Sequence, residues 1–216
     1  MDLTGAALSE AEVYIQTHLP LTEVDDLPGA RMHLAGPRSG LSRLQRLNPH
    51  FMMPYWAHLW GGGRALVRFL AERPEAVAGR RVMDLGSGSG LVSIAAARAG
   101  AASILAVDVD PYAVVATRLN ATLNGVALTI LQADITGEPV PGVDIILVGD
   151  VFYELGLAEQ MTAFLDRCLE ARLEILVGDP GREFLPRDRL GLISDYEVAD
   201  FGGRIPGVAG VFRFQR

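Results

Sequence analysis

Residues 82 to 111, VMDLGSGSGLVSIAAARAGAASILAVDVDP, constrain the fold more than any other stretch. An apolar run ends in a glycine-rich turn, an alanine-rich segment follows, and a second apolar run ends in Asp108. Two strands joined through a helix run parallel, because a crossover of that length returns the chain in the same direction. The glycines allow a tight turn and let a ligand approach backbone amides closely. Their register, Gly86-x-Gly88-x-Gly90, differs from the Gly-x-Gly-x-x-Gly form that cradles a pyrophosphate. A glycine-rich turn can also serve packing alone, so the turn needs support from elsewhere.

The rest of the chain extends the same pattern. ALTILQAD, VDIILVGD and EILVGD predict three more strands, and the nearly continuous apolar character of the last two suits a sheet covered on both faces. Residues 64 to 72 carry a helical apolar period that ends near Pro74. PYAVVATRLNATLNG predicts a helix with Pro111 in its first turn and Gly125 at its end, and Asp110 is placed to cap it. LAEQMTAFLDRCLEAR predicts another. ISDYEVADFGG and AGVFRFQR, separated by Gly- and Pro-bearing sequence, predict a hairpin. The expected fold class is therefore α/β: a seven-stranded, mostly parallel, Rossmann-like sheet with a terminal antiparallel hairpin. Residues 1–50 are less regular. LSEAEVYIQTHL predicts a short helix with Leu8, Val13, Ile15 and Leu19 available for packing, and turn residues follow. We expect 1–50 to be a flanking or lid segment able to contact a substrate, with Glu23, Asp25 and Asp26 on an ordinary solvated surface.

Carboxylates at strand ends support the turn. Asp108 lies 22 positions after Gly86 and can accept hydrogen bonds from ribose hydroxyls. Asp134 ends the next strand, where an adenine amino group would be held, with Gln132 or Ile135 bordering the base. Asp84 is placed to meet the amino-acid end of such a ligand, directly or through water. The plainer reading of all three is a solvated strand end. The chain has no Gly-x-x-x-x-Gly-Lys-Ser/Thr loop and no lysine at all, its 19 basic residues being arginines. The usual phosphate-contacting residue is thus missing, and the pattern favours S-adenosylmethionine over a phosphate-rich nucleotide.

With MPYWAHLWGGGRAL, DLGSGSG, AVDVDP, GDVFYE and VGDPGR in view, the chain resembles the seven-strand S-adenosylmethionine-dependent methyltransferases. More closely, it resembles the protein-lysine methyltransferases that modify the beta subunit of electron transfer flavoprotein. The resemblance runs from about residue 50 to 216, which makes 51–216 the methyltransferase domain. It implies that Asp150, Phe152 and Tyr153 line the methyl-transfer site. It places Trp56, Trp60 and Gly62 near the cofactor, beside the edge formed by Asp84, Gly86, Gly88, Asp108 and Asp134. Tyr55, Asp179 and Arg182 fall on the substrate side. The activity implied is methyl transfer from S-adenosylmethionine to lysine side chains of that beta subunit. A lysine must lose its proton before attack, from a reference pKa of about 10.4. Asp150 is suited to guide the amine, and Phe152 and Tyr153 to border it and the sulfonium. Each residue also has a structural reading: Asp150 as a cap, Phe152 and Tyr153 as core, Trp56 and Trp60 as one packed face, Asp179 and Arg182 as a loop-stabilising ion pair.

Charge and composition narrow the alternatives. A formal charge of −7 weighs against broad phosphate-backbone binding. The edge Asp150-Val-Phe152-Tyr153 is not the Asn/Asp-Pro-Pro-Tyr/Phe site associated with methylation of base amino groups, so no nucleic-acid partner is expected. Competing functions are methylation of another protein lysine or a small molecule, and a non-catalytic S-adenosylmethionine-binding assembly protein. A nicotinamide oxidoreductase is disfavoured because no hydride-transfer acid–base pair accompanies the turn. Cys168 is alone and follows a helical apolar pattern, which suits a reducing compartment and a packing role. The four histidines form no metal-ligand spacing with it. No signal-peptide pattern and no apolar run of about 18 residues is present, so the expected setting is cytoplasmic with no membrane contact. Without lysine side chains, the chain offers only its N-terminal amine as an internal methyl acceptor.

Overall fold

Strands that are apolar on both faces need cover on both faces, and the chain supplies it from alternating helices. The computed structural model describes residues 5–41, 53–200 and 207–216. In chain order the elements are α1 (Gly5–His18), β1 (Leu21–Glu23), β2 (Arg31–His33), α2 (Gly61–Glu72), β3 (Arg81–Leu85), α3 (Leu91–Arg98), β4 (Ser103–Asp108) and α4 (Pro111–Leu123). They continue as β5 (Thr129–Gln132), β6 (Ile145–Gly149), α5 (Leu155–Glu170), β7 (Glu174–Asp179), β8 (Leu190–Val198) and β9 (Gly207–Phe214). A seven-stranded sheet has the order β5-β4-β3-β6-β7-β9-β8. Its first five strands are parallel, while β9 runs antiparallel to both β7 and β8. The expected α/β sheet with a terminal hairpin is the observed one.

Side chains alternate across each strand and feed two cores. Val82, Ile145, Leu147, Leu176 and Val211 face α2 and α3, where Leu66, Leu70 and Ile94 meet them. Met83, Ile146, Val148, Ile175 and Val177 face the opposite side and pack on Phe164, Leu165 and Cys168 of α5. Cys168 is thus core, and burial pushes its thiol up to about 11, which suppresses the thiolate. Each fully buried aliphatic side chain contributes about 1.5–3 kcal/mol, so the central strands β3, β6 and β7 are the most strongly held. The strand order reverses beside β3, between β4 and β6, which opens a crevice at the carboxyl ends of those strands.

The first residues attach to this sheet more closely than their sequence suggests. β1 and β2 form a small antiparallel pair that was not expected from sequence. Asn120 of α4 and Asn124, which caps its C-terminus, stitch it down: the side-chain oxygen of Asn120 accepts from His33 N at 2.7 Å, and Asn124 Nδ2 donates to Arg31 O at 2.8 Å. Met32, Leu34 and Val24 enter the core shared with α2. α1 lies on α4, with Ile15 and Leu19 beside Ala113 and Ala116, while Val13 is exposed. Asp26 corrects an expectation: it is buried, not solvated, and is ion-paired with both Arg64 and Arg68 of α2. Asp25 and Glu23 are exposed as expected. The expected domain boundary between residues 50 and 51 and the side chain of Leu8 lie outside the described residues.

Candidate active site

Loops that leave parallel strands at their carboxyl ends converge on one cavity of about 670 Å³. The glycine turn forms one wall. Gly86, Gly88 and Gly90 all have positive φ, of 74°, 54° and 83°, which explains the spacing of glycines after β3. Gly88 N donates to Asp108 Oδ2 at 2.8 Å and Asp110 N to Asp108 Oδ1 at 2.9 Å, so the carboxylate at the end of β4 is pinned across the turn. Burial nevertheless pushes Asp108 above the usual carboxylate range. Asp110 caps α4 as expected, its Oδ1 accepting from Tyr112 N at 2.8 Å.

Asp84 points to the α3 side of β3, where Ser93 Oγ donates to it at 2.6 Å. It lines the cavity, and burial pushes it up to about 6. Asp134 lines the opposite end, is exposed, and accepts from Thr136 N and Oγ1, which lower its pKa. Ile135 borders the same end, whereas Gln132 does not line the cavity.

The other wall is aromatic and carries one ion cluster. Tyr55 sits in a short 3-10 turn, Tyr55–Ala57, and its ring lies 5.7 Å from that of Trp60 and 5.3 Å from that of Tyr153. Trp60 Nε1 donates to Tyr55 O at 2.8 Å, which fixes the pair. Asp150 follows β6 with φ 57°, an uncommon conformation for any residue but glycine, and one that marks local strain. Its Oδ2 accepts from Gly63 N at 2.9 Å and its Oδ1 from Arg182 Nη2 at 2.7 Å. Burial pushes Asp150 up to about 6, opposed by Arg182 and the Gly63 amide. The arrangement places a carboxylate and three rings around one end of a long cavity, with strand-end acids at the other.

Known proteins match this geometry. The model of the ribosomal protein L11 methyltransferase (PrmA) family matches residues 67–155, the span from α2 through the Asp150 loop. An electron transfer flavoprotein beta subunit lysine methyltransferase of Danio rerio is 44% identical over 140 residues, covering 62% of this chain and 54% of that one. The Xenopus laevis protein of the same name is 39% identical over 171 residues, covering 78% of this chain and 70% of that one. This chain belongs to the electron transfer flavoprotein beta subunit lysine methyltransferase family. It spans about half the length of the first of those relatives. The tRNA (uracil-54, C5)-methyltransferase of Pyrococcus abyssi, solved in complex with S-adenosyl-L-homocysteine, shares the fold at a TM-score of 0.53. Its identity is 21%, over 69% of this chain and 38% of that chain.

Within this lysine methyltransferase family member, the residues singled out in the sequence separate into two groups. Tyr55, Trp56, Trp60, Asp84, Gly86, Gly88, Asp108, Asp134, Asp150, Tyr153 and Arg182 all line the cavity. Phe152, Gly62 and Asp179 do not. Phe152 is fully buried among Val148, Phe164 and Leu165, so of the neighbouring Phe152 and Tyr153 only the second faces the site. Gly62 packs against β7: a Cβ there would meet Gly178 O at 2.1 Å, which is backbone against backbone. Asp179 is buried, and its Oδ1 accepts from Gly181 N and Arg182 N at 2.7 and 2.6 Å, the loop-stabilising role. Trp56 and Trp60 do not share one face: Trp56 stacks on Tyr112 within the core, and its ring N–H finds no acceptor among the described residues.

Two participants escaped the sequence reading. Gly63 supplies the amide that holds Asp150, and its only signal was its place in the glycine triplet. Asp200 accepts from Gly61 N at 2.9 Å and pairs with Arg182, but it follows β8 with no motif around it. The Phe152 and Tyr153 placements predict a clean split. Phe152→Leu should cost on the order of 1 kcal/mol of stability, read from a melting curve, and leave methyl-donor affinity near wild type. Tyr153→Ala should melt as the wild type does and lose turnover.

Proposed function

We propose that this chain transfers methyl groups from S-adenosylmethionine to lysine side chains of the electron transfer flavoprotein beta subunit. The observation that carries this reading is the joining of a glycine–aspartate cofactor edge to an aromatic wall around Asp150 in one cavity. The cofactor edge fits the methyl donor. Asp108 keeps lone pairs for ribose hydroxyls, Asp134 and Ile135 border the adenine end, Asp84 suits the amino-acid end, and Trp56 lines the wall, its buried indole N–H without an acceptor among the described residues. When bound, the donor supplies an electrophilic methyl group on a sulfonium. The fold comparison supports this assignment, since the Pyrococcus abyssi enzyme holds S-adenosyl-L-homocysteine.

The residues of the aromatic wall do the rest. Tyr55, Trp60 and Tyr153 gather ring faces and edges in the same wall as Asp150, suited to border a cationic centre. A low-dielectric pocket disfavours the ammonium form of an entering lysine, which favours the neutral nucleophile. The entering ammonium releases its proton to solvent before attack, Asp150 orients the neutral amine, and the amine lone pair would form the new N–C bond as the C–S bond breaks, leaving a methylated ammonium. Alignment supplies most of the advantage in such a displacement. Among the described residues no helix is long and apolar enough to cross a membrane. The single thiol, Cys168, suits a reducing, cytoplasmic setting.

The decisive experiment combines the purified chain, S-adenosylmethionine and electron transfer flavoprotein from the same organism, followed by intact and peptide mass spectrometry. Methyl-sized additions confined to beta-subunit lysines are the expected result. Additions elsewhere, or none with a folded partner and a bound donor, would redirect the assignment to another protein lysine or a small molecule. A separate check concerns the cofactor edge. Asp108→Asn keeps the shape of the turn but removes a charged acceptor, so S-adenosyl-L-homocysteine should bind about tenfold to a hundredfold more weakly by calorimetry. An unchanged affinity would remove Asp108 from the cofactor site.

A further inference from the structure

Asp150 is engaged on both oxygens before any acceptor arrives, by the Gly63 amide on one and Arg182 on the other. The same guanidinium also reaches Asp200 at 3.3 Å and lies 5.3 Å over the Trp60 ring. Asp200 is itself tied to the first turn of α2 through Gly61 N. Asp179 fixes the turn from which Arg182 projects, through two backbone amides. Segments following β6, β7 and β8 and the start of α2 therefore meet on one side chain. Arg182 is the only arginine in the wall among the described residues, against the acids Asp84, Asp108, Asp110, Asp134 and Glu154.

We infer that Arg182 is a positioning residue: by bridging Asp150 and Asp200 it holds the Asp150 carboxylate ionised and in place, so that Asp150 orients the acceptor amine and does not take its proton. This rests on the methyl-transfer reading above. A carboxylate with both oxygens already accepting charged or amide donors still has a lone pair for one more N–H, but it is a poor store for a proton. Burial alone pushes Asp150 up, and Arg182 is the first force opposing that. Asp179, at the end of β7, works in the same direction as burial. Across the cavity the other titratable groups are the acids named above, the Tyr55 and Tyr153 phenols, and His58, whose pKa burial lowers, so none of these supplies a positive charge at neutral pH. Without Arg182, nothing in that set holds Asp150 charged.

The test follows Asp150 directly. Full-length chain labelled at aspartate carboxyl carbons is titrated by NMR, with Asp150→Asn used for assignment, in the wild type, Arg182→Gln, Arg182→Lys and Asp200→Asn. A neighbouring opposite charge moves a carboxyl by about 1–3 units, so the Asp150 midpoint should rise by about one unit or more in Arg182→Gln. It should not rise in Asp200→Asn, which removes a like charge and leaves Arg182 to Asp150 alone, and it should return close to wild type in Arg182→Lys. With donor and beta subunit supplied, the acid limb of kcat/KM should move upward with the midpoint, and kcat at neutral pH should fall about tenfold while KM for the donor stays put. A folded Arg182→Gln whose Asp150 titrates as in wild type overturns the inference. So does an acid limb that stays in place while the midpoint moves. If Arg182→Gln does not melt cooperatively, Arg182→Met, which keeps an apolar stem without the charge, decides, and an unshifted midpoint there overturns it. A wild-type chain that methylates no acceptor would sink the methyl-transfer reading, while the titration would still decide whether Arg182 governs Asp150.

Discussion

Gly62→Ala is expected to lower the melting temperature by on the order of 10 °C. Two effects compete at this position. Alanine is favoured over glycine inside a helix by about 1 kcal/mol, and Gly62 lies within α2. Against that, the added methyl would sit 2.1 Å from Gly178 O and 2.5 Å from Gly178 C. The nearest atoms are backbone of β7, a central strand of the sheet that cannot turn aside, and the methyl would also stand 2.6 Å from Asp150 Oδ2, crowding the carboxylate that Gly63 and Arg182 hold. Overpacking typically costs about 1–3 kcal/mol, and a contact this short lies at or beyond the upper end. For a chain of this size each kcal/mol corresponds to about 2–4 °C, which yields the expected drop. Gly63→Ala is the control: its Cβ would meet Val92 Cγ2 at 3.7 Å, ordinary contact, and the amide that holds Asp150 remains. If Gly62→Ala instead melted as the wild type does and bound S-adenosyl-L-homocysteine poorly, Gly62 would be the cofactor residue that the sequence resemblance implied.

Asp150→Asn is expected to reduce kcat by about a hundredfold or more, with donor affinity changed little. The substitution keeps the size of the side chain, and asparagine tolerates the positive φ of 57° as well as aspartate does. The backbone bond from residue 150 N to Gly178 O therefore survives. What disappears is the negative charge between Arg182 and the amine. Arg182 is left with Asp200 as its charged partner, and an amide NH₂ can face its guanidinium only unfavourably. Single-turnover rates at saturating donor, read beside a calorimetric titration of donor, separate orientation from binding. A variant within about threefold of wild type in that rate would show that the aromatic wall aligns the amine without Asp150.

The sheet and the cofactor edge were legible because their signals are local. Apolar runs such as IILVG need cover on both faces wherever they occur, and glycines with an aspartate at the next strand end lie within one βαβ unit. The N-terminal hairpin was not legible because its two three-residue strands are held by Asn120 and Asn124, which lie far along the chain at the C-terminal end of α4. The contrast between Phe152 and Tyr153 was hidden for another reason. The segment between β6 and α5 is neither strand nor helix and bends at Tyr153, so no side-chain period in the sequence tells which of the two turns inward. Asp150 and Asp179 look alike in sequence, each ending a strand, yet one faces the cavity and the other braces a turn. The difference depends on the turn that follows each strand, with φ 57° at Asp150 and φ 93° reserved for Gly181.

The buried pairing of Asp26 with Arg64 and Arg68 has a reach beyond its own neighbourhood. α2 is held from two sides within its first two turns: Gly61 and Gly63 hold Asp200 and Asp150, and Arg64 and Arg68 are clamped by Asp26 from the loop between β1 and β2. The front of the chain is thereby part of the scaffolding of the catalytic wall, although it contributes no wall residue before Met53 among those described. Deleting this early segment would leave Arg64 and Arg68 without that carboxylate, beside the glycines that hold Asp150 and Asp200, so it is not an independent adaptor.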